Sequence, residues 1–175
     1  VKGPIDIGQA RRCHARVFCH LSLIQEKTHM KEGLCPGVSR TNTLVVDHTR
    51  SIDFMGEEGR VYSTPNLVRD IEVTCRELLL DYCDANEDSV GTEICIKHLA
   101  PTLIDMKVAI TATVATVDGR RVSFDISARD DAEQICSGTH GRFVTDVGKT
   151  IDRLKKKSAS LQRGGEGDHA QTHGA

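Results

Sequence analysis

Hydrophobic spacing along this chain changes period once, and the change divides it into a helical part and a sheet part. Between Ser63 and Tyr82 the positions Leu67, Val68, Ile71, Cys75, Leu78 and Leu79 recur every three or four residues. That spacing predicts one amphipathic helix from about Pro65 to Tyr82. Pro65 suits the first helical turn, where its missing N–H costs nothing, and Thr64 reads as the N-cap. From Val90 onward the period is two. Val90–His98 reads as a strand, and Val108, Ile110, Ala112 and Val114 alternate with Lys107, Ala109, Thr111 and Thr113 in the next. Asp118-Gly119 predicts a tight turn, after which Val122, Phe124, Ile126 and Ala128 alternate with Ser123, Asp125 and Ser127. Asp130-Asp131 marks a further turn, and Glu133–Val147 supplies another strand. A short β-branched run, Thr43–His48, precedes the helix, and the acidic stretch Asp81–Ser89 after it reads as a loop.

One residue breaks the helical pattern. Positions 68, 72, 75 and 79 share a face, so Glu72 points where Val68 and Leu79 point. A carboxylate in such a stripe is costly to bury unless it is paired or hydrogen-bonded. It is either a structural acid, satisfied by backbone or an arginine, or a working one.

One long helix followed by an antiparallel meander is an α+β pattern, with the helix laid across a single curved sheet; this is the hot-dog arrangement. The chain's 175 residues suffice for one domain with a real core. A formal charge of −2 and 3% aromatic content without Trp offer neither the basic surface nor the stacking platforms of nucleic-acid binding. No apolar run approaches the length of a membrane span. Seven cysteines, odd in number and irregularly spaced, fit a reducing compartment, so a cytoplasmic location is expected.

The two ends differ from the middle. Residues 1–29 mix Arg, His and Cys around a short apolar patch and read as a poorly ordered extension. Cys13-His14 and Cys19-His20 carry zinc-type donors, but their spacing matches no common structural site, and no metal is expected. Lys155-Lys156-Lys157 leads into a Gly-, Ser- and Gln-rich end, so the folded domain is expected over 30–152, with 153–175 as a flexible polar tail.

Three stretches then carry a family resemblance: Gly91-Thr92-Glu93-Ile94-Cys95-Ile96-Lys97-His98, Val117-Asp118-Gly119-Arg120-Arg121, and Ser137-Gly138-Thr139-His140-Gly141-Arg142. With the helix opening Ser63-Thr64-Pro65, Glu72 eight residues beyond Thr64, and the start Met30-Lys31-Glu32-Gly33, the segment 30–152 resembles the fluoroacetyl-CoA thioesterase group of hot-dog proteins. The resemblance implies a thioesterase acting on acyl-CoA, with Thr64, Glu72 and His98 as a catalytic triad and with Gly91 and Arg142 at the ligand. It also implies a homodimer with its active sites at the subunit interface, and no cofactor beyond the CoA that the substrate carries. An acyl carrier protein is the alternative bearer of the thioester.

The residues suit those roles. A carboxylate such as Glu72 can attack the thioester or activate a water, His98 can orient it or protonate the leaving thiolate, and the Thr64 hydroxyl can polarise the carbonyl. Arg142 offers planar donors for a carbonyl or phosphate. The structural alternatives are a core imidazole for His98, a plain N-cap for Thr64 and a surface strand residue for Arg142. Gly138 and Gly141 read as sites of close backbone approach. The segment Ser51–Tyr62 holds only Phe54 and Tyr62 as aromatics, where the fluoroacetyl enzyme carries a Phe-bearing lid, so a wider acyl site is expected. Other functions for the same fold are a hydratase or dehydratase and a non-catalytic acyl-CoA-binding module.

Overall fold

A computed structural model describes residues 30–165. The expectations for residues 1–29, including the Cys-His pairs, lie outside the described residues. Five strands form one antiparallel sheet: β1 (Ser39–Val45), β2 (Glu87–His98), β3 (Lys107–Asp118), β4 (Arg121–Asp130) and β5 (Gln134–Asp146). Their spatial order is β1-β3-β4-β5-β2. Helix α1 (Thr64–Leu80) packs across the sheet, and α2 (Val147–Gly165) follows β5. This is the hot-dog arrangement that the two periods predict.

The alternating residues do what their spacing requires. Val108, Ile110, Ala112 and Val114 of β3, with Val122, Phe124, Ile126 and Ala128 of β4, are all buried beneath α1. The helix answers with Leu67, Ile71, Cys75, Leu78 and Leu79. Between β3 and β4 the chain reverses at Gly119, whose φ of 57° lies in the left-handed region that glycine enters without strain.

Two boundaries fall elsewhere than expected. Strand β2 begins at Glu87, inside the acidic stretch read as loop, because both acids are paired. Glu87 bonds Arg120 at 2.9 Å, and Asp88 takes a forked contact from Arg76. The tail expected from residue 153 is helical as far as 165. Ile151, Leu154 and Leu161 recur at helical spacing among Lys and Arg, which are good helix formers, so composition alone misjudged this stretch.

The two sheet edges are unequal. β1 is a seven-residue edge, whereas β2 is a twelve-residue edge that pairs only with β5. From Gly91 to His98 no residue of β2 is buried. Gly138 of β5 lets β2 come close: a Cβ there would overlap the Cys95 carbonyl and stand 2.7 Å from Ile96 Cα.

Candidate active site

The first turn of α1 sets the site. Ser63, not Thr64, is the N-cap, and its Oγ accepts from the Asn66 N–H at 3.3 Å. This corrects the capping role expected of Thr64. Freed from capping, the Thr64 hydroxyl lies 2.9 Å from Nδ1 of His98, at the end of β2. The Leu67 N–H also goes to Ser63, and Pro65 has none, so the Thr64 N–H is the first-turn donor left uncommitted among the described residues. Burial holds the His98 imidazole below its ordinary pKa, so it is neutral near pH 7. Its Nε2 is buried and has no hydrogen-bond partner among the described residues. The Tyr62 ring meets the imidazole edge-on, with centroids 6.5 Å apart.

Glu72 sits in a second cluster. It is half-buried, at the margin of the face centred on Leu67, Ile71, Thr74 and Leu78, not within it. A Cβ on Gly91 would stand 2.6 Å from Glu72 Oε1 and 3.2 Å from His140 Cε1, so the missing side chain is what gives this carboxylate its place against β2. Arg142, expected at the ligand, is only 4% exposed and has four of its five N–H groups committed. Nε and Nη2 hold Ser89, while Nη1 bonds the Glu72 carbonyl oxygen and Nε2 of His140. His140 Nδ1 lies 2.7 Å from the Glu93 carbonyl, which accepts its proton and leaves Nε2 free to accept from Arg142. Burial pulls the Arg142 pKa down and the Glu72 carboxylate opposes that shift. The guanidinium therefore clamps α1, β2 and β5 around Glu72.

Within one chain the three residues of the expected triad do not converge. Thr64 and His98 meet, but Glu72 lies eight residues along α1 from Thr64, about 12 Å at 1.5 Å per residue. Its neighbour Gly91 is seven residues along β2 from His98, roughly 20 Å of strand.

The acid most deeply buried on α1 is Asp70, which the periodicity did not single out. It is 8% exposed, and its Oδ2 accepts from Tyr62 Oη at 2.7 Å and from Arg50 Nε at 3.1 Å. Arg50 also bonds Asp47 at 2.9 Å, so the segment ahead of the helix is tied to the helix start. Its sequence signal was the same as for Glu72, an acid among apolar positions. Burial and the Asp70 carboxylate raise the Tyr62 pKa, keeping the phenol protonated.

A cleft of about 480 Å³ opens beside Thr64 and His98, walled by Ile52, Phe54, Val61, Leu99 and Pro101. Burial pushes the Cys75 thiol up to about 12 and those of Cys83 and Cys136 up to about 11, so none of these three is a thiolate nucleophile near neutrality. Among the described residues no group of three or more His, Cys, Asp and Glu is placed to hold a metal ion. No helix among them is long and apolar enough to cross a membrane. What the arrangement supplies is a hydroxyl–imidazole pair, an uncommitted helix N–H, a carboxylate packed against Gly91 and an apolar cleft.

Known proteins place this chain in a family. The family described as fluoroacetyl-CoA-specific thioesterase matches residues 46–148. The fluoroacetyl-CoA thioesterase of Streptantibioticus cattleyicolor is 32% identical over 136 residues, covering 74% of this chain and 98% of that enzyme. A solved fluoroacetyl-CoA thioesterase structure superposes with a TM-score of 0.67 at 31% identity, covering 72% of this chain and 98% of the other. A Thermus thermophilus protein of the thioesterase superfamily, 20% identical, shares the fold with a TM-score of 0.69, covering 75% of this chain and 98% of the other. By sequence and by fold, this chain belongs to the fluoroacetyl-CoA-specific thioesterase family.

Proposed function

We propose that this protein is an acyl-CoA thioesterase, hydrolysing the thioester to a free acid and CoA, whose active site is completed by a second copy of the chain. The observation that carries this reading is the Thr64–His98 pair, 2.9 Å apart at the mouth of the apolar cleft, in a chain of thioesterase lineage. Glu72, out of reach in its own chain, has its partner across a subunit boundary. The unpaired twelve-residue edge of β2 supports that boundary, because a long exposed edge is a template for pairing with another chain. A two-fold pairing centred near Cys95 carries the His98 end of one β2 toward Gly91 and Glu72 of the other.

In that composite site each group has one task. The Thr64 hydroxyl and N–H meet the thioester carbonyl and stabilise the oxyanion as charge develops. Glu72, held by its close fit to Gly91 and by the Arg142 clamp beneath it, attacks the carbonyl carbon or takes the proton from an attacking water. Neutral His98 donates its Nδ1–H to the Thr64 oxygen, which leaves the hydroxyl proton for the oxyanion, and the departing thiolate takes its proton from the water that Glu72 deprotonates or from solvent. Arg142 is a positioning residue, since four of its five donors are spent on protein groups. An acyl carrier protein could present the same thioester through the same chemistry. The irregular cysteines support a reducing, cytoplasmic setting.

The test is thiol release over a panel of acyl-CoAs by the native chain and by Glu72→Gln. The native protein should cleave at least one, and the variant should lose most turnover, on the order of a hundredfold or more, while remaining dimeric. Unchanged turnover in the variant would return Glu72 to a structural role.

A further inference from the structure

The cleft beside Thr64 and His98 says something about the acyl group. Its walls are Ile52, Phe54, Val61, Leu99, Ala100 and Pro101, and among the described residues of one chain no Asp, Glu, Lys or Arg lines it. Of the polar side chains that line it, Ser63 is already spent on capping, Tyr62 on Asp70, and Thr64 and His98 form their pair. A charged acyl group, such as a dicarboxylic half-thioester or an aminoacyl group, would find no partner along these walls and would be desolvated for nothing. The pantetheine arm, with its two amides, fits them poorly for the same reason.

Size adds a second constraint. A methylene occupies about as much space as a water, whose share of liquid volume is about 30 Å³. A two-carbon acyl group therefore leaves most of the cleft of about 480 Å³ unfilled. The aromatics ahead of the helix do not narrow it. Tyr62 is 1% exposed and its hydroxyl is committed to Asp70, while Phe54 stands on the rim at 79% exposure.

We propose that the acyl group is an uncharged, extended apolar chain several methylenes longer than acetyl, laid along this cleft with its thioester at Thr64 and His98 and with Phe54 folding onto it. The proposal rests on the thioesterase reading above. Full burial of a methylene favours binding about fourfold, and a half-open cleft about twofold. From acetyl to octanoyl, six methylenes then raise kcat/KM by roughly sixtyfold.

The experiment measures kcat/KM for acetyl-, butyryl-, hexanoyl-, octanoyl- and succinyl-CoA on the native protein and on Phe54→Ala, with calorimetric binding of octanoyl-CoA, acetyl-CoA and CoA to Glu72→Gln. The expected result is a rise with chain length to octanoyl, poor use of succinyl-CoA, and a fall in Phe54→Ala at least fivefold larger for octanoyl-CoA than for acetyl-CoA. A preference for acetyl-CoA overturns the proposal. So does an equal loss on all substrates in Phe54→Ala, which would assign the cleft to pantetheine. If no substrate is cleaved, yet octanoyl-CoA binds at least tenfold tighter than acetyl-CoA, the acyl assignment stands and the hydrolase reading falls. If octanoyl-CoA is neither cleaved nor bound better than CoA, both fall.

Discussion

Adding one methyl group at Gly91 should switch off turnover while leaving the fold in place. A Cβ there meets Glu72 Oε1 at 2.6 Å and Cδ at 3.3 Å, with His140 Cε1 at 3.2 Å. The imidazole is held on both sides, by the Glu93 carbonyl and by Arg142, so the free end of Glu72 must move. Going from 2.6 Å to the 3.4 Å of ordinary contact displaces the carboxylate by about 0.8 Å. A misplacement of about 1 Å at a reacting group can cost on the order of a hundredfold in rate. The backbone has no comparable objection, since Gly91 does not lie in the left-handed region and Ala is the better strand residue by about 0.5–1 kcal/mol. Gly91→Ala should therefore lose about a hundredfold in kcat, with its unfolding free energy within about 1 kcal/mol of the native value. Thiol release and urea denaturation measure the two quantities. Gly141→Ala is the control, because its Cβ meets Thr92 Oγ1 at 3.2 Å and Glu93 Cβ at 3.5 Å but no group assigned to the chemistry. If Gly91→Ala kept kcat within threefold while folded, the placement of Glu72 against β2 would have no catalytic meaning.

Three other outcomes follow from the same geometry. Burial holds both His98 and His140 below the ordinary imidazole value of 6.5, so just below that pH the unfolded chain binds more protons than the fold. Their contribution to stability is complete above pH 6.5 and is lost as pH falls toward the folded values; the melting temperature should drop from pH 7 to pH 5, and less so in His98→Asn. A drop of the same size in that variant would contradict the assignment for His98. Removing the Asp70 carboxylate by Asp70→Ala strands Tyr62 Oη in the core and releases Arg50, which should cost about 2–4 kcal/mol, against about 1 kcal/mol for Tyr62→Phe. Denaturant midpoints test this, and a loss under about 1 kcal/mol for Asp70→Ala would mean that the network anchors nothing. Lastly, if two copies pair along β2 near Cys95, which is exposed, mild oxidation should cross-link the native dimer through that residue. Non-reducing electrophoresis should show the covalent dimer, and its persistence in Cys95→Ser would place the interface elsewhere.

How much of this was legible in the sequence depends on what each pattern measures. Alternation measures which face of a strand is dry, and in β3 and β4 it named every buried inner-face residue from Val108 to Val114 and from Val122 to Ala128. Helical period measures a face as well, but only to within a residue or so around the axis. On that coarse scale Asp70 and Glu72 look alike. The structure puts Asp70 inside the buried face, where Tyr62 and Arg50 satisfy it, and Glu72 at the edge. Charged pairs hid the start of β2, since Glu87 and Asp88 read as loop until their arginines, twelve residues or more away in sequence, are in place. The N-cap slipped by one residue because Ser63 and Thr64 are both good capping residues, and only the geometry shows which hydroxyl is spent and which is free. The proposed partition of the site between two chains was beyond any local pattern. Thr64, Glu72 and His98 are recognisable as a set by motif, yet the distances along α1 and β2 hold Glu72 away from the other two in one chain. A carboxylate that serves a second subunit has no reason to be buried in its own. Its intermediate exposure at the rim of α1, beside an unpaired strand edge, is what the proposed pairing requires of it.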